Sequence, residues 1–181
     1  HAVKNTLIYS SVGLFCGTPF PIILALLLNE IKFKTFKKVT QTISYLPHFL
    51  SWVSVVGMLS TFFATYGTYN DILAKLFGES YERVTILMDA KYFLPVIFWS
   101  GIWKGIGWSS IIYLAAITGI DQSLYEAATV DGCSRFKQAF YITIPSIMPT
   151  IIIIFIMGMG GLLSSNFEQV YGFQNIYTQE S

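Results

Sequence analysis

Residues 6–28 read TLIYSSVGLFCGTPFPIILALLL, a run without one Asp, Glu, Lys or Arg. A helix crossing a bilayer needs roughly 20 mainly apolar residues, so this stretch predicts a membrane span. Pro19 and Pro21 inside it remove backbone donors and bend it, which neighbouring helices can cover. Gly13 and Gly17 form a GxxxG pair suited to close helix contact. Working outward, the same criterion picks out residues 45–65, 92–118 and 142–163, the last holding the unbroken run Ile151-Ile152-Ile153-Ile154. The reading is an all-α integral membrane protein, a single domain over 1–181 with four spans.

Composition agrees. Hydrophobic residues are 54% and charged residues 12%, against about 25% charged in ordinary soluble domains, and mean hydropathy is +0.58. The alternative is a large soluble bundle whose buried helices are apolar all round; spanning-length stretches with short polar connections argue against it. A net charge of +1 gives no field to recommend nucleic acid as a partner. Cys16 and Cys133 do not make a disulfide framework and read as packing residues. The first apolar run is too long for a signal peptide and lacks a cleavage site. The start at His1 and the polar end Gln179-Glu180-Ser181 suggest a segment of a longer chain.

Charge sets the expected orientation. Lys32, Lys34, Lys37 and Lys38 outweigh Glu30, so loop 29–38 is expected in the cytoplasm. Alternation puts loop 66–91 outside, where Asp71, Glu79, Glu82 and Asp89 outnumber Lys75, Arg83 and Lys91. It returns loop 121–141 to the cytoplasm.

In that loop, Ser123-Leu124-Tyr125-Glu126 has the spacing of a capping box, predicting a helix from Leu124 capped by Ser123. Ala127 and Ala128 favour the helix, and Gly132 suits the left-handed residue that ends one. Ser134 is placed to cap a second short helix, Arg135 to Tyr141, before Pro145 opens the fourth span. Glu126 and Asp131 are acidic groups available to a partner's arginines, balanced by Arg135 and Lys137. An ordinary interfacial connector has the same periodicity.

The spacing of Glu126-Ala127-Ala128, Asp131-Gly132, Ile142, Ile144 and Pro145 resembles the EAA loop of binding-protein-dependent permeases, whose pattern is EAA, G, then I-x-L-P. Ile144 in place of leucine is the one departure. Asn5-Thr6-Leu7, Leu26-Leu27-Leu28-Asn29-Glu30, Tyr45-Leu46-Pro47-His48, Trp103-Lys104-Gly105, Ile112-Tyr113-Leu114-Ala115-Ala116 and Asn166-Phe167-Glu168-Gln169 look like the oligosaccharide and polysaccharide branch. The resemblance implies a type I ABC importer transmembrane domain with the MetI-like helical core, in the cell membrane. It further implies a second permease subunit, two ATP-binding subunits that hold ATP and Mg, and an extracytoplasmic solute-binding protein. Glu126, Ala127, Ala128, Asp131, Gly132, Ile142 and Pro145, in coupling loop 121–145, would then meet the ATPase. Full-length relatives usually have about six spans.

Other chemistry is thin. There is no Walker A pattern, so ATP hydrolysis is assigned to a separate subunit and no cofactor to this chain. Ser134 and Lys137 satisfy S-x-x-K without its companion motifs. His1 and His48 lack a local Cys or carboxylate cluster, which excludes a recognisable metal site, and no catalytic residue stands out. Lys104, an ionisable group at membrane depth, either lines the solute path or pairs with a neighbouring helix. Trp99, Trp103, Trp108 and Tyr113 are further path candidates, since sugar rings stack on aromatic faces, although most membrane aromatics serve packing or interfaces. Gly101, Gly105 and Gly107 predict close helix approach. An oligosaccharide or polysaccharide importer permease is the reading; a peptide, amino-acid or lipid-linked solute, a membrane scaffold and an intramembrane enzyme are the alternatives.

Overall fold

The computed structural model describes residues 2–78, 81–88, 90–160 and 167–173, and among them it is helical throughout, with no strand. Glu79, Asp89, the end of the expected fourth span at 161–163, Asn166 and Gln179 to Ser181 lie outside the described residues. In chain order the helices are α1 (Ala2–Gly17), α2 (Pro19–Glu30), α3 (Lys34–Tyr45), a 3-10 turn at Leu46–Phe49, α4 (Trp52–Phe62), α5 (Thr68–Phe77) and a 3-10 turn at Ile86–Met88. Then follow α6 (Ala90–Thr118), α7 (Gln122–Val130), α8 (Arg135–Gln138), a π-helical turn at Ala139–Thr143, α9 (Ile144–Gly160) and α10 (Phe167–Phe173).

Sequence punctuation explains the breaks. Pro19 starts α2 in the first turn, where its missing N–H costs nothing. Thr18, the residue between α1 and α2, turns its hydroxyl back onto the Leu14 carbonyl. Pro47 falls in the 3-10 turn after α3, and Ser51 caps α4 by accepting the Ser54 N–H at 3.2 Å.

Ser10–Glu30 and Arg135–Gly160 are long and apolar enough to cross a membrane. Lys34–Phe49 and Trp52–Phe62 meet that test only together, as a bent pair. The expected span at 45–65 is therefore a break plus an 11-residue helix, and if a span exists here it includes α3. The expected span at 92–118 coincides with α6, which has the length at 29 residues. Its glycines, serines, tryptophans and Lys104 dilute its apolarity, and it does not join the other two. Among the described residues, two helices, or three elements with the bent pair, are thus long and apolar enough to span, where the sequence suggested four.

The chain divides into two compact units. One comprises the described residues up to His48 and residues 102–160; the other comprises Phe49–Gly101 with α10. In the first, Ala25 and Leu28 of α2, Tyr113, Leu114 and Ile117 of α6 and Ile147 of α9 form a buried cluster. Lipid is as apolar as these side chains, so close packing rather than expulsion from water holds such a cluster. Phe15 meets Phe155 edge-on at 5.2 Å, and Gly158 leaves room for Leu14. Gly107 lies against the backbone of Ser44, where a Cβ would collide. Close approach was expected at Gly13, Gly17 and Gly105 too, but among the described residues nothing beyond the glycine's own stretch of helix comes within 4 Å of a Cβ built there. A GxxxG spacing marks a surface that permits approach, and the backbone comes in at Gly107 instead.

In the second unit, Val55, Ile97 and Phe173 are buried, and Gly172 accommodates Val56. Gln169 of α10 is 1% exposed and donates to the Ile97 carbonyl at 2.6 Å and to Ser100 Oγ at 3.1 Å; its amide also lies beside Gly101. Asn70 at the start of α5 is fully buried. It donates to the carbonyls of Ala64 and Val84, both at 2.9 Å, and accepts from Tyr81 OH at 2.8 Å and the Val84 N–H at 3.1 Å. One side chain thereby ties together the connector between α4 and α6.

Candidate functional site

Helix α7 begins at Gln122 and is capped by Asp121, not, as the capping box suggested, at Leu124 with Ser123 as its cap. The Asp121 carboxylate accepts the Ser123 N–H at 2.9 Å, and an acidic cap also suits the positive end of the helix dipole. That backbone bond, reinforced by the Ser123 hydroxyl, holds the Asp121 carboxyl below its ordinary pKa. Sequence reasoning missed this cap because the S-x-x-E spacing two residues later fits the same rule.

The C-terminal end of α7 is a complete Schellman turn. Cys133 N–H reaches the Ala128 carbonyl at 2.8 Å and Gly132 N–H reaches Thr129 at 3.1 Å, with Gly132 at φ 74°. The left-handed glycine expected from the sequence is present, and it reverses the chain toward Ser134. The Ser134 hydroxyl accepts the Lys137 N–H at 3.5 Å, a long cap for α8. The second helix, expected to stop at Tyr141, instead runs without interruption as Arg135–Gly160. It passes through the π turn at Ala139–Thr143, where Ile144 N–H bonds to Ala139. This wide turn immediately precedes Pro145, which has no N–H to offer Tyr141. The loop and the last span are therefore one rod.

Side chains bind α7 to that rod in a closed circuit. Tyr125 OH lies 2.8 Å from Thr143 Oγ1, and Thr143 Oγ1 is 3.5 Å from the Gln138 carbonyl. Gln138 Nε2 donates to Thr129 Oγ1 at 3.0 Å and to the Cys133 carbonyl at 3.1 Å, and Thr129 Oγ1 donates to the Tyr125 carbonyl at 2.7 Å. Thr143 is 3% exposed. Tyr125, Thr129, Gln138 and Thr143 were not singled out from the sequence; the available signal was a set of hydroxyl and amide residues beside the EAA run and the following isoleucines.

The other face of α7 is open. Glu126, Ala127, Asp131 and Gly132 are exposed, Ala128 and Ile142 are half-buried and Pro145 is exposed; Val130 is 88% exposed. Arg135 does not balance Glu126 or Asp131 as the sequence suggested. Its guanidinium pairs at 2.9 Å with Glu30 at the end of α2. A cleft of about 810 Å³ is lined by Glu30, Ile117, Tyr125, Glu126, Arg135 and Gln138, among others.

The membrane-depth candidates separate. Tyr113 is 1% exposed within the buried cluster, while Trp99, Trp103 and Trp108 are exposed. Lys104 Nζ donates to the His48 carbonyl at 2.9 Å, and the His48 ring stacks on Trp108 with centroids 4.6 Å apart. Lys104 and Trp108 thus meet at the break after α3, whereas Trp99 belongs to the other unit.

A helical rod long enough to span a membrane, with an exposed short helix braced on its end and a second helix of spanning length, fits a polytopic membrane component. Residues 17–165 match the family described as binding-protein-dependent transport system inner membrane component, and the chain belongs to that family. It is 43% identical over 170 residues to the protein LplB of Bacillus subtilis (strain 168), covering 93% of this chain and 52% of that one. It is 42% identical over 178 residues to the polygalacturonan/rhamnogalacturonan transport system permease protein YteP of the same organism, covering 98% and 55%. The chain therefore spans about half the length of these curated relatives. Among solved structures, a bacterial ABC transporter involved in import of the acidic polysaccharide alginate superposes with a TM-score of 0.91 at 41% identity, covering 98% of this chain and 61% of that one.

Proposed function

We propose that the protein forms the membrane-spanning permease of an ATP-driven importer for an oligosaccharide or polysaccharide, and that loop 121–145 docks the ATPase. The carrying observation is the exposed face of α7, with Glu126 and Ala127 at the surface, closed by the Gly132 turn and continuous with the last span. Small alanines let a cleft wall come close, and the acidic groups suit arginines on a partner. ATP and Mg belong to two separate subunits, a second permease subunit completes the path, and an extracytoplasmic protein delivers solute. The saccharide class is supported by YteP and by the alginate importer, one structure of which holds a periplasmic protein bound to alginate pentasaccharide.

The topology proposed is four spans, with α6 as the third and α3 with α4 as a broken second. Loops 29–38 and 121–141 face the cytoplasm and 66–91 faces out. A cysteine at Lys37 should then be labelled only from the cytoplasmic side and one at Lys75 only from outside; the opposite pattern would overturn the topology.

Gly132→Val tests docking. Space exists at this position, but a β-branched residue resists the left-handed conformation by roughly 1–2 kcal/mol. The turn should open, and ATPase association and uptake should both fall by about tenfold or more. Normal association in the reconstituted complex would remove the docking role.

A further inference from the structure

We infer that the hydroxyl pair Tyr125–Thr143 is a positioning element that locks α7 onto the last span, so that a push on the docking helix moves the span instead of the loop alone. This inference rests on the docking reading. Tyr125 sits one residue before Glu126, with its ring half-buried and its hydroxyl turned inward onto Thr143. Thr143 stands at the end of the π turn, buried at 3% exposure. A π turn is a weak point in a helix, because it interrupts the i→i−4 ladder and is one of the places where helices kink. Placed between the docking loop and the span, it would absorb a push by flexing.

The circuit bridges that weak point. It leaves α7 at Tyr125 OH, enters the rod at Thr143, the last residue of the turn, returns through the Gln138 carbonyl before the turn, and goes back to α7 through Thr129. Donor and acceptor roles are consistent round the whole circuit when Tyr125 donates to Thr143. Thr143 then still has its own proton to give Gln138. Shear between α7 and the rod must break a bond in this circuit, so force on the exposed face is delivered to the far end of the turn, where α9 begins. Glu126 and Ala127 meet the partner; Tyr125 and Thr143 transmit.

Tyr125→Phe and Thr143→Val each delete one hydroxyl and keep the bulk. In Tyr125→Phe, Thr143 keeps its Gln138 partner. In Thr143→Val, Tyr125 lines the cleft, so its hydroxyl can turn to water. Both variants should assemble with the ATPase as wild type does. In vesicles containing the complete transporter, uptake per ATP hydrolysed should drop about two- to fivefold, the ratio one net hydrogen bond supports. The double variant should be no worse than the worse single variant, and Thr143→Ser, which keeps the hydroxyl, should restore coupling. Unchanged uptake per ATP in both single variants, or additive losses, would overturn the inference. A loss that follows reduced assembly or melting temperature would overturn it as well, since that is the mark of a structural bond only. Glu126→Arg is measured alongside for ATPase association. If association survives that change, the docking reading fails, whatever Tyr125 does. If association is lost while Tyr125→Phe couples normally, docking stands and the positioning role falls.

Discussion

The two connectors of this chain, residues 63–89 and residues 119–143, solve opposite problems with the same materials. Each holds a short helix between longer ones by side-chain hydrogen bonds. In the first, the hub is Asn70, at the centre, fully buried and bonded on both amide atoms to residues as far along as Val84. Arg83 adds an ion pair with Asp71 at 2.9 Å, a bond to the Thr65 carbonyl at 3.1 Å and a cation–π contact with Tyr66. In the second, the buried hub is Thr143, at the edge where the loop becomes the span, and the helix α7 keeps one face open. A hub at the centre fixes a loop to itself; a hub at the edge fixes it to what comes next. The first arrangement suits a cap, the second a handle.

Asn70→Ala should break this contrast most. It strands two carbonyls, an N–H and a tyrosine hydroxyl in a buried site, at a cost of about 3 kcal/mol, read as a lower melting temperature with ATPase association intact. Separating the ion pair Arg135–Glu30 should do much less. Both side chains are about half exposed or more, so Arg135→Ala should cost at most about 1 kcal/mol and the effect should shrink with added salt. The smallest effect belongs to Asp121. Its carboxyl is held below the ordinary value by the Ser123 backbone bond, so its capping contribution is present at neutral pH and is lost as pH falls through the folded value. Asp121→Ala should therefore lower loop stability slightly at pH 7 and make no difference in acid, measured by amide exchange within α7. A larger effect at low pH would show that another group caps the helix.

What was legible in the sequence follows what each signal physically encodes. Apolar length picked out the stretches that overlap Ser10–Glu30 and Arg135–Gly160, because hydrocarbon thickness alone sets that criterion. The same criterion faltered on 45–65, where the chain breaks at the 3-10 turn that holds Pro47, and on 92–118, where glycines, serines, tryptophans and Lys104 lower the mean hydropathy. Gly132 was readable because only one conformation calls for glycine there. Asp121 and Ser123 both offered a valid cap, and only the local backbone could choose between them. The partners of Arg135 and of Tyr125 were invisible, since Glu30 and Thr143 lie far away in the chain and hydrogen bonding between distant residues leaves no local pattern. The exposed candidates Glu126 and Ala127 were thus found by spacing, and the bonds that hold them in place were not.

The uninterrupted helix Arg135–Gly160 has a mechanical corollary. Its 26 residues at about 1.5 Å each make a lever roughly 39 Å long. Rotating such a lever by about 5° sweeps its far tip through about 3 Å, a distance comparable to a water molecule. Under the proposed docking role, motion at the loop end need not be large to displace the far end of the helix: the gearing is built into the length of one helix, and its efficiency depends on how little play remains at the joint beside Tyr125.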